Sequence, residues 1–299
     1  MKKISVSFII LLFLTGFHTN ITGQFMDKLP RGIPEAEGVS SAGIIDFLNA
    51  IDTGRQEIHS FMFVRHGKVI AEGWWDPYGP DYKHLLYSAS KTFTATGIGL
   101  AVSENRLKLS DKVVSFFPYS LPDSIGNNMK EMTVRDLLTM SVGQETPGMG
   151  GGSDDDWITA FIRNEPEHKP GTVFKYNNMA TFMLSAIVQQ VTGQTLFDYL
   201  KPRLFDPLGI KGMDWDKNGQ GINLGMIGLR LCTEDLAKFG QLLIQNGKWN
   251  KKQLLTEAWV KEATSFKIEN HDPSSKTPKE LNDWSQGYCY QMWRRTNNR

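Results

Sequence analysis

The chain reads as an α+β protein, and three stretches carry that reading. Two short apolar runs near the N-terminus, Ser60 to Arg65 and Lys68 to Trp74, are joined by His66-Gly67 in the pattern of a hairpin. From Ser88 to Ala263 the chain is dominated by helical periods and helix caps. A final extended run, Gly287 to Trp293, follows. Strands that bracket a helical middle, rather than alternating with helices, favour α+β over a parallel α/β sheet.

Composition sets the outer limits. With 299 residues, 40% hydrophobic and 22% charged, the chain can form one large domain or two lobes. Its net charge of +1 makes no electrostatic case for nucleic acid or an anionic membrane. Met1-Lys2-Lys3 and the apolar run to Phe17 have the form of a secretory signal, with cleavage after Ile21-Thr22-Gly23. The expected organisation is therefore a signal peptide over 1–23 and a single two-lobed domain over 24–299. That apolar core is too short to span a bilayer, and no cysteine follows it for lipid attachment. An exported protein, periplasmic or secreted and without a stable membrane anchor, is expected. Cys232 and Cys289 are one distant pair, not a disulfide framework, and read as buried free thiols.

In chain order, residues 24–38 form an irregular lead-in. Ser40-Ser41 caps a helix over Ala42 to Ile51, with Ile44, Ile45, Phe47 and Leu48 on its apolar face. After the hairpin, Trp-Trp-Asp-Pro-Tyr-Gly-Pro is a loop. Leu107 to Asn128 reads as short elements and turns, and Thr133 caps a helix over Val134 to Met140 that stops at Gly143. Gln144 to Asp156 holds TPGMGGGSDDD without the preceding strand that a phosphate cradle needs, and its aspartates lack calcium-loop spacing. It reads as a surface loop, with Ser153 or an aspartate capping a helix from Trp157 to Arg163. Pro170-Gly171 turns the chain into an extended Val173 to Tyr176. Helices are expected from Asn178 to Val191, Leu196 to Leu204, Thr233 to Leu243 and Thr256 to Ala263. Gly212 to Gly228 is irregular and suits a cleft edge, and Glu269 to Asp283 is a polar loop.

The chemistry concentrates at Ser88 to Ser103, SASKTFTATGIGLAVS, where Lys91 is the only charge. That is the composition of a helix packed on all sides. An ammonium buried there is paired, held neutral or wanted for its chemistry. Ser88 lies three residues earlier, so its hydroxyl shares a helix face with the amine and is an activated nucleophile. The S-x-x-K tetrapeptide by itself is a weak signal, and the uncharged remainder of the helix strengthens it. The histidines, at 18, 59, 66, 84, 168 and 271, show no metal-ligand spacing, and no G-x-S-x-G elbow surrounds Ser88. Lys91 is preferred to a histidine base because it is already placed. Tyr176-Asn177-Asn178, where an extended segment meets an apolar helix, supplies the polar partners such a pair needs. Tyr176 is read as sharing a proton with Ser88, its pKa lowered by the ammonium, and Asn178 as a donor to substrate and a partner of Lys91. No cofactor or metal is implied.

The joint pattern of YSASKTFTATGIGLAVSENRLKLSDKV, TVRDLLTMSVG, PGTVFKYNNMATFMLSAIVQQVTGQ, LFDPLGI and LCTEDLAKFGQLL resembles the serine beta-lactamase-like superfamily over roughly Val39 to Trp293. The similarity is greatest to the branch of class C beta-lactamases, D-alanyl-D-alanine carboxypeptidases and related esterases. The resemblance implies an antiparallel sheet flanked by helices, with a mostly helical lobe inserted and the nucleophile in the cleft between lobes. It places nucleophile and lysine on Ser88 and Lys91, proton relay on Tyr176 and substrate orientation on Asn178, with Gln144 as a pocket residue. The S-D-N and E-x-x-L-N patterns of class A are not found, which favours tyrosine as the relay. The family's third motif, K-T-G or H-x-G, is expected on a strand following Gly287 to Trp293 and is not found before Arg299. Lys276-Thr277-Pro278 carries proline where glycine is needed. The chain is therefore read as C-terminally incomplete, lacking the last sheet strands and half the oxyanion hole. The implied function is acyl transfer from small esters or amides through an acyl-enzyme on Ser88. One alternative is a peptidoglycan carboxypeptidase or beta-lactamase. Another, of a different class, is a non-catalytic binding protein or inactive fragment.

Overall fold

The structure, a computed structural model, describes residues 28–54, 56–145, 156–271, 274 and 276–295. The expected signal segment and the glycine-rich stretch up to Asp155 lie outside the described residues. Helices α1 (Ser41–Asp52), α2 (Ser90–Ser103), α3 (Asn127–Glu131), α4 (Val134–Leu138), α5 (Trp157–Arg163), α6 (Asn178–Thr192), α7 (Leu196–Leu200), α8 (Thr233–Ile244) and α9 (Glu257–Thr264) carry most of the core. The strands are short: β1 (Ser60–Arg65), β2 (Lys68–Trp74), β3 (His84–Leu85), β4 (Asp214–Trp215), β5 (Leu229–Leu231), β6 (Lys248–Trp249) and β7 (Lys252–Gln253).

The α+β class holds, with the strands in three small antiparallel sheets: β1-β2, β3-β5-β4 and β6-β7. The hairpin forms where expected, with His66 and Gly67 both in the left-handed region that a tight two-residue turn needs. Its register shifts between Phe63 and Val64. Phe47 of α1 packs against Phe61 and Phe63 on one side of it, while Ile45, expected on that apolar face, stays exposed. The lead-in is not loose. Arg31 bridges to Val69 beside β2 and ion-pairs with Glu72 and Glu234, tying the hairpin to α8.

Helix α2 is the centre of the molecule, buried almost throughout as its uniform composition requires. Its two glycines are there for close approach: a Cβ at Gly97 would stand 2.6 Å from Leu196 Cδ1, and one at Gly99 2.1 Å from the Trp259 ring. Phe93 stacks on Phe239 of α8 at 4.0 Å, and α6 and α7 pack alongside. Capping follows the local chemistry. Thr133 and Asp136 form a reciprocal box on α4, Asp156 caps α5 and Thr256 caps α9.

Four sequence expectations are corrected. Ser88 is not in the first turn of the α-helix; it sits in a 3-10 turn, Tyr87–Ala89, that leads into α2. The helix expected over Leu196 to Leu204 changes to a wider π-type turn at Lys201–Phe205, where Pro202 has no N–H to continue the ladder. The irregular Gly212 to Gly228 contains β4, which pairs with β5, itself unanticipated because three residues are too few to show a period. Gly287 to Trp293 is not a strand. The chain reverses within it: Cys289 N–H donates to Met292 O at 2.8 Å, and Gln291 has φ 58°. Gln291 is drawn away by other partners. Its amide donates to Leu137 O and Leu138 O and accepts from Thr181 Oγ1 at 2.6 Å, so it joins the end of α4 to α6.

Candidate active site

The β3-β5-β4 sheet delivers Ser88, the candidate nucleophile. Leu85 pairs with Arg230, Leu86 N–H donates to Leu229 O at 2.9 Å, and the chain then turns through Tyr87 into Ser88. Arg230 holds Asp214 and Asp216 at 2.9 and 2.7 Å, which staples β4 to β5. Tyr87 has φ 45°, a left-handed conformation that costs a bulky residue about 1–3 kcal/mol. Strain of that kind persists where surrounding pairing imposes it, and here it presents an exposed Ser88 above a buried Lys91.

Lys91 is 1% exposed. Its Nζ lies 3.3 Å from Ser88 Oγ, 2.8 Å from Asn178 Oδ1 and 3.0 Å from Met226 O. An ammonium has three donors, and these three acceptors satisfy them without a countercharge. Burial without a carboxylate disfavours the charged form and pulls the amine from its ordinary 10.5 down to about 8. When the proton leaves, the nitrogen lone pair has a hydroxyl within reach. That is the arrangement by which an amine activates a serine.

Tyr176 stands over the same pair, with Lys91 Nζ 5.0 Å from its ring centroid and its phenol close to Ser88. The expected lowering of its pKa is not found: burial raises the phenol above its ordinary value, and the Ser88 contact offsets only part of this. The ammonium faces the ring, where it makes a cation–π contact. Tyr176 is thus a protonated group at neutral pH.

Of the two asparagines, Asn177 does the capping. Its Oδ1 accepts from Ala180 N–H at 3.1 Å, and its Nδ2 donates to Gln144 Oε1 at 3.0 Å. Asn178, the first residue of α6, is thereby available to Lys91. Gln144 is 1% exposed and donates Nε2 to Phe161 O and Asn164 O. Among the described residues it meets this cluster through Asn177, and its amide nitrogen is taken up by those two carbonyls. The Met226 carbonyl was not anticipated. A backbone acceptor has no side-chain signature, and only the reading of Gly212 to Gly228 as a cleft edge pointed toward it. Thr94 holds that segment by donating to Gly225 O at 2.9 Å. Cys232 and Cys289 are separate thiols, and burial raises both pKa values, which lowers their reactivity. Lys276 to Pro278 lies in a polar loop ahead of a turn at Lys279–Leu281.

Comparison with known proteins places these residues in context. The sequence model of the Beta-lactamase family matches residues 52–296. Protein flp of Staphylococcus aureus (strain MW2) is 29% identical over 167 residues, covering 51% of this chain and 33% of that protein. The chain thus spans about a third of the length of that relative. The 6-aminohexanoate-dimer hydrolase of Paenarthrobacter ureafaciens is 25% identical over 224 residues, covering 67% and 55%. Among solved structures, the octameric penicillin-binding protein homologue from Pyrococcus abyssi superimposes with a TM-score of 0.65 at 19% identity, covering 84% of this chain and 64% of that one. EstCE1, a hydrolase with promiscuous acyltransferase activity, gives 0.66 at 17% identity, covering 86% and 83%. At these identities the structural likenesses establish the fold.

Proposed function

This chain belongs to the Beta-lactamase family, and on that premise we propose that it is a serine hydrolase acting on small esters or amides through an acyl-enzyme on Ser88. The observation that carries the reading is the neutral shell around Lys91, three uncharged acceptors of which one is the Ser88 hydroxyl. Two relatives in the comparison are themselves named as hydrolases, one of them with acyltransferase activity.

The steps follow from the geometry. Neutral Lys91 takes the Ser88 proton as Oγ bonds to the substrate carbonyl carbon. Charge develops on the carbonyl oxygen beside the amide of Ser88, at the N-terminal end of α2, where the helix dipole favours it. Tyr176, protonated and standing over the Ser88–Lys91 pair, passes a proton to the departing oxygen or nitrogen as the carbonyl bond to it breaks, and recovers one from Lys91. Asn178 Nδ2 donates to the substrate while Oδ1 holds Lys91. Water then adds to the Ser88 ester as neutral Lys91 takes its proton; when the acyl bond to Ser88 Oγ breaks, Oγ takes a proton from Tyr176, which recovers one from Lys91, and the acid leaves.

The test is hydrolysis of small esters by the full-length protein together with mass analysis of the trapped adduct. Ser88→Ala is expected to reduce turnover at least about a thousandfold, in the range for loss of a covalent nucleophile, and wild type is expected to gain the acyl mass on the Ser88 peptide. Undiminished hydrolysis by Ser88→Ala would sink the proposal. Fluorescent penicillin that labels Ser88 and persists would move the substrate class to the carboxypeptidase side. Export is proposed from the charged start and apolar run to Phe17; the secreted protein should begin near Gln24.

A further inference from the structure

One group of side chains is not used by the mechanism above. The Tyr176 ring stacks on Trp293 with centroids 5.6 Å apart and planes at 16°. Trp293 meets Trp284 edge-on at 5.3 Å, Tyr288 at 5.2 Å and Phe174 at 5.7 Å. These rings differ in exposure. Tyr288 is buried, whereas Trp293 is 40% and Trp284 66% exposed. Contiguous exposed tryptophans are costly in water and mark binding surfaces, and these begin at the ring that stands over Lys91.

A cleft of about 520 Å³ has Tyr176 in its lining, together with Val173, Phe174, Glu145, Asn270 and His271. Its size suits a small organic acyl group. Its charges do not select for an ion: Glu145 pairs with His168 and Lys175, and Glu269 with Lys279. Phe174 and Tyr176 are rings in its lining, and Trp293 packs against both, extending this aromatic wall toward Trp284. The wall is also held in place before binding. Asn270 donates to Trp284 O at 2.6 Å and accepts from Gly287 N–H at 2.7 Å, and Asn282 Oδ1 accepts from Trp284 N–H at 3.0 Å. A surface fixed in advance loses little freedom on binding.

We propose that Trp293 and Trp284 form the acyl-side subsite of the Ser88 centre and take an aryl group carried by the acyl donor. The proposal rests on the acyl-enzyme reading and adds the substrate class to it. Trp293 packs on the Tyr176 ring, which stands over Lys91, so an aryl ring carried one or two carbons from the carbonyl is the group suited to stack there.

The experiment compares S-ethyl thioesters of phenylacetic and butanoic acid, whose common leaving group is aliphatic, by release of ethanethiol from the full-length protein. In wild type, kcat/KM should favour the phenylacetyl donor. Trp293→Ala should lower the phenylacetyl-to-butanoyl ratio about tenfold, the upper range for one ring–ring contact, and Trp293→Phe should keep it within about threefold. Trp284→Ala, at an exposed position that does not threaten folding, should lower the ratio about threefold and serves if Trp293→Ala does not fold. A ratio unchanged in Trp293→Ala and Trp284→Ala, whether or not total activity falls, overturns the subsite while leaving the acyl-enzyme intact. Wild-type turnover of both thioesters by Ser88→Ala would instead remove the parent reading, and the subsite with it.

Discussion

Lys91 and Lys238 are both buried, at 1% and 2% exposure, yet they are handled in opposite ways. Lys238 lies on α8 with Asp235 one turn earlier, 3.7 Å from its Nζ, and the Gly209 carbonyl at 3.5 Å. Burial raises the Asp235 carboxyl, and the attraction of Lys238 works against that rise. Among the described residues Lys91 has no carboxylate in ion-pair range; a hydroxyl, an amide oxygen and a peptide carbonyl surround it. A buried lysine is therefore no sign of chemistry. A buried lysine whose only compensation is neutral, and whose neighbour is a serine, is poised to lose a proton and use it.

Exchanging the two situations tests this directly. Lys91→Met should cost at least about a hundredfold in kcat/KM through loss of the base, while the protein stays folded. Lys238→Met should leave esterase turnover within about threefold but destabilise the fold by about 3 kcal/mol, because a buried Asp235 loses its partner. The added change Asp235→Leu should recover most of that loss in a denaturant titration. If Lys238→Met abolished turnover without unfolding the protein, the contrast between the two sites would collapse.

Asn178→Asp gives Lys91 the countercharge that Lys238 already has. Its amine should then titrate well above about 8, and the rising limb of the pH–rate profile should move to higher pH by at least about one unit. In wild type, kcat/KM should rise with a limb near pH 8 as Lys91 becomes neutral. The same group has a smaller effect on stability. Its folded pKa lies below the unfolded one, so between about 8 and 10.5 the unfolded chain binds more protons, and Lys91 penalises the fold less as pH rises through that window. Lys91→Met should remove that pH-dependent part of the unfolding free energy. Tyr176→Phe should lower turnover about a hundredfold through loss of the proton donor, without shifting the limb near pH 8, because burial already keeps the phenol protonated there.

Much of the site was legible. The spacing of Ser88 and Lys91, the uncharged run that follows, and Tyr176 with Asn178 at a helix start all show in the letters, because each is a local pattern. The neighbouring residues show where such reading stops. Asn177 and Asn178 are indistinguishable as a pair of letters; the cap at Ala180 N–H takes one and leaves the other for Lys91. Gln144 looked like a pocket residue and is a brace, since its partners Phe161 and Asn164 belong to the next helix and its end. Gly287 to Trp293 has strand composition, but Gln291 finds its partners on α4 and α6, and the backbone turns to let it.

Periodicity and capping were enough to specify the hairpin, the fully buried α2 and the placing of a serine one turn before a lysine, because those depend on contacts a few residues apart. The state of that lysine was settled elsewhere. Asn178 is 87 residues from Lys91 and Met226 is 135 residues from it; folding brings them in to bury the amine with no carboxylate beside it among the described residues, and that burial is what lets it give up its charge.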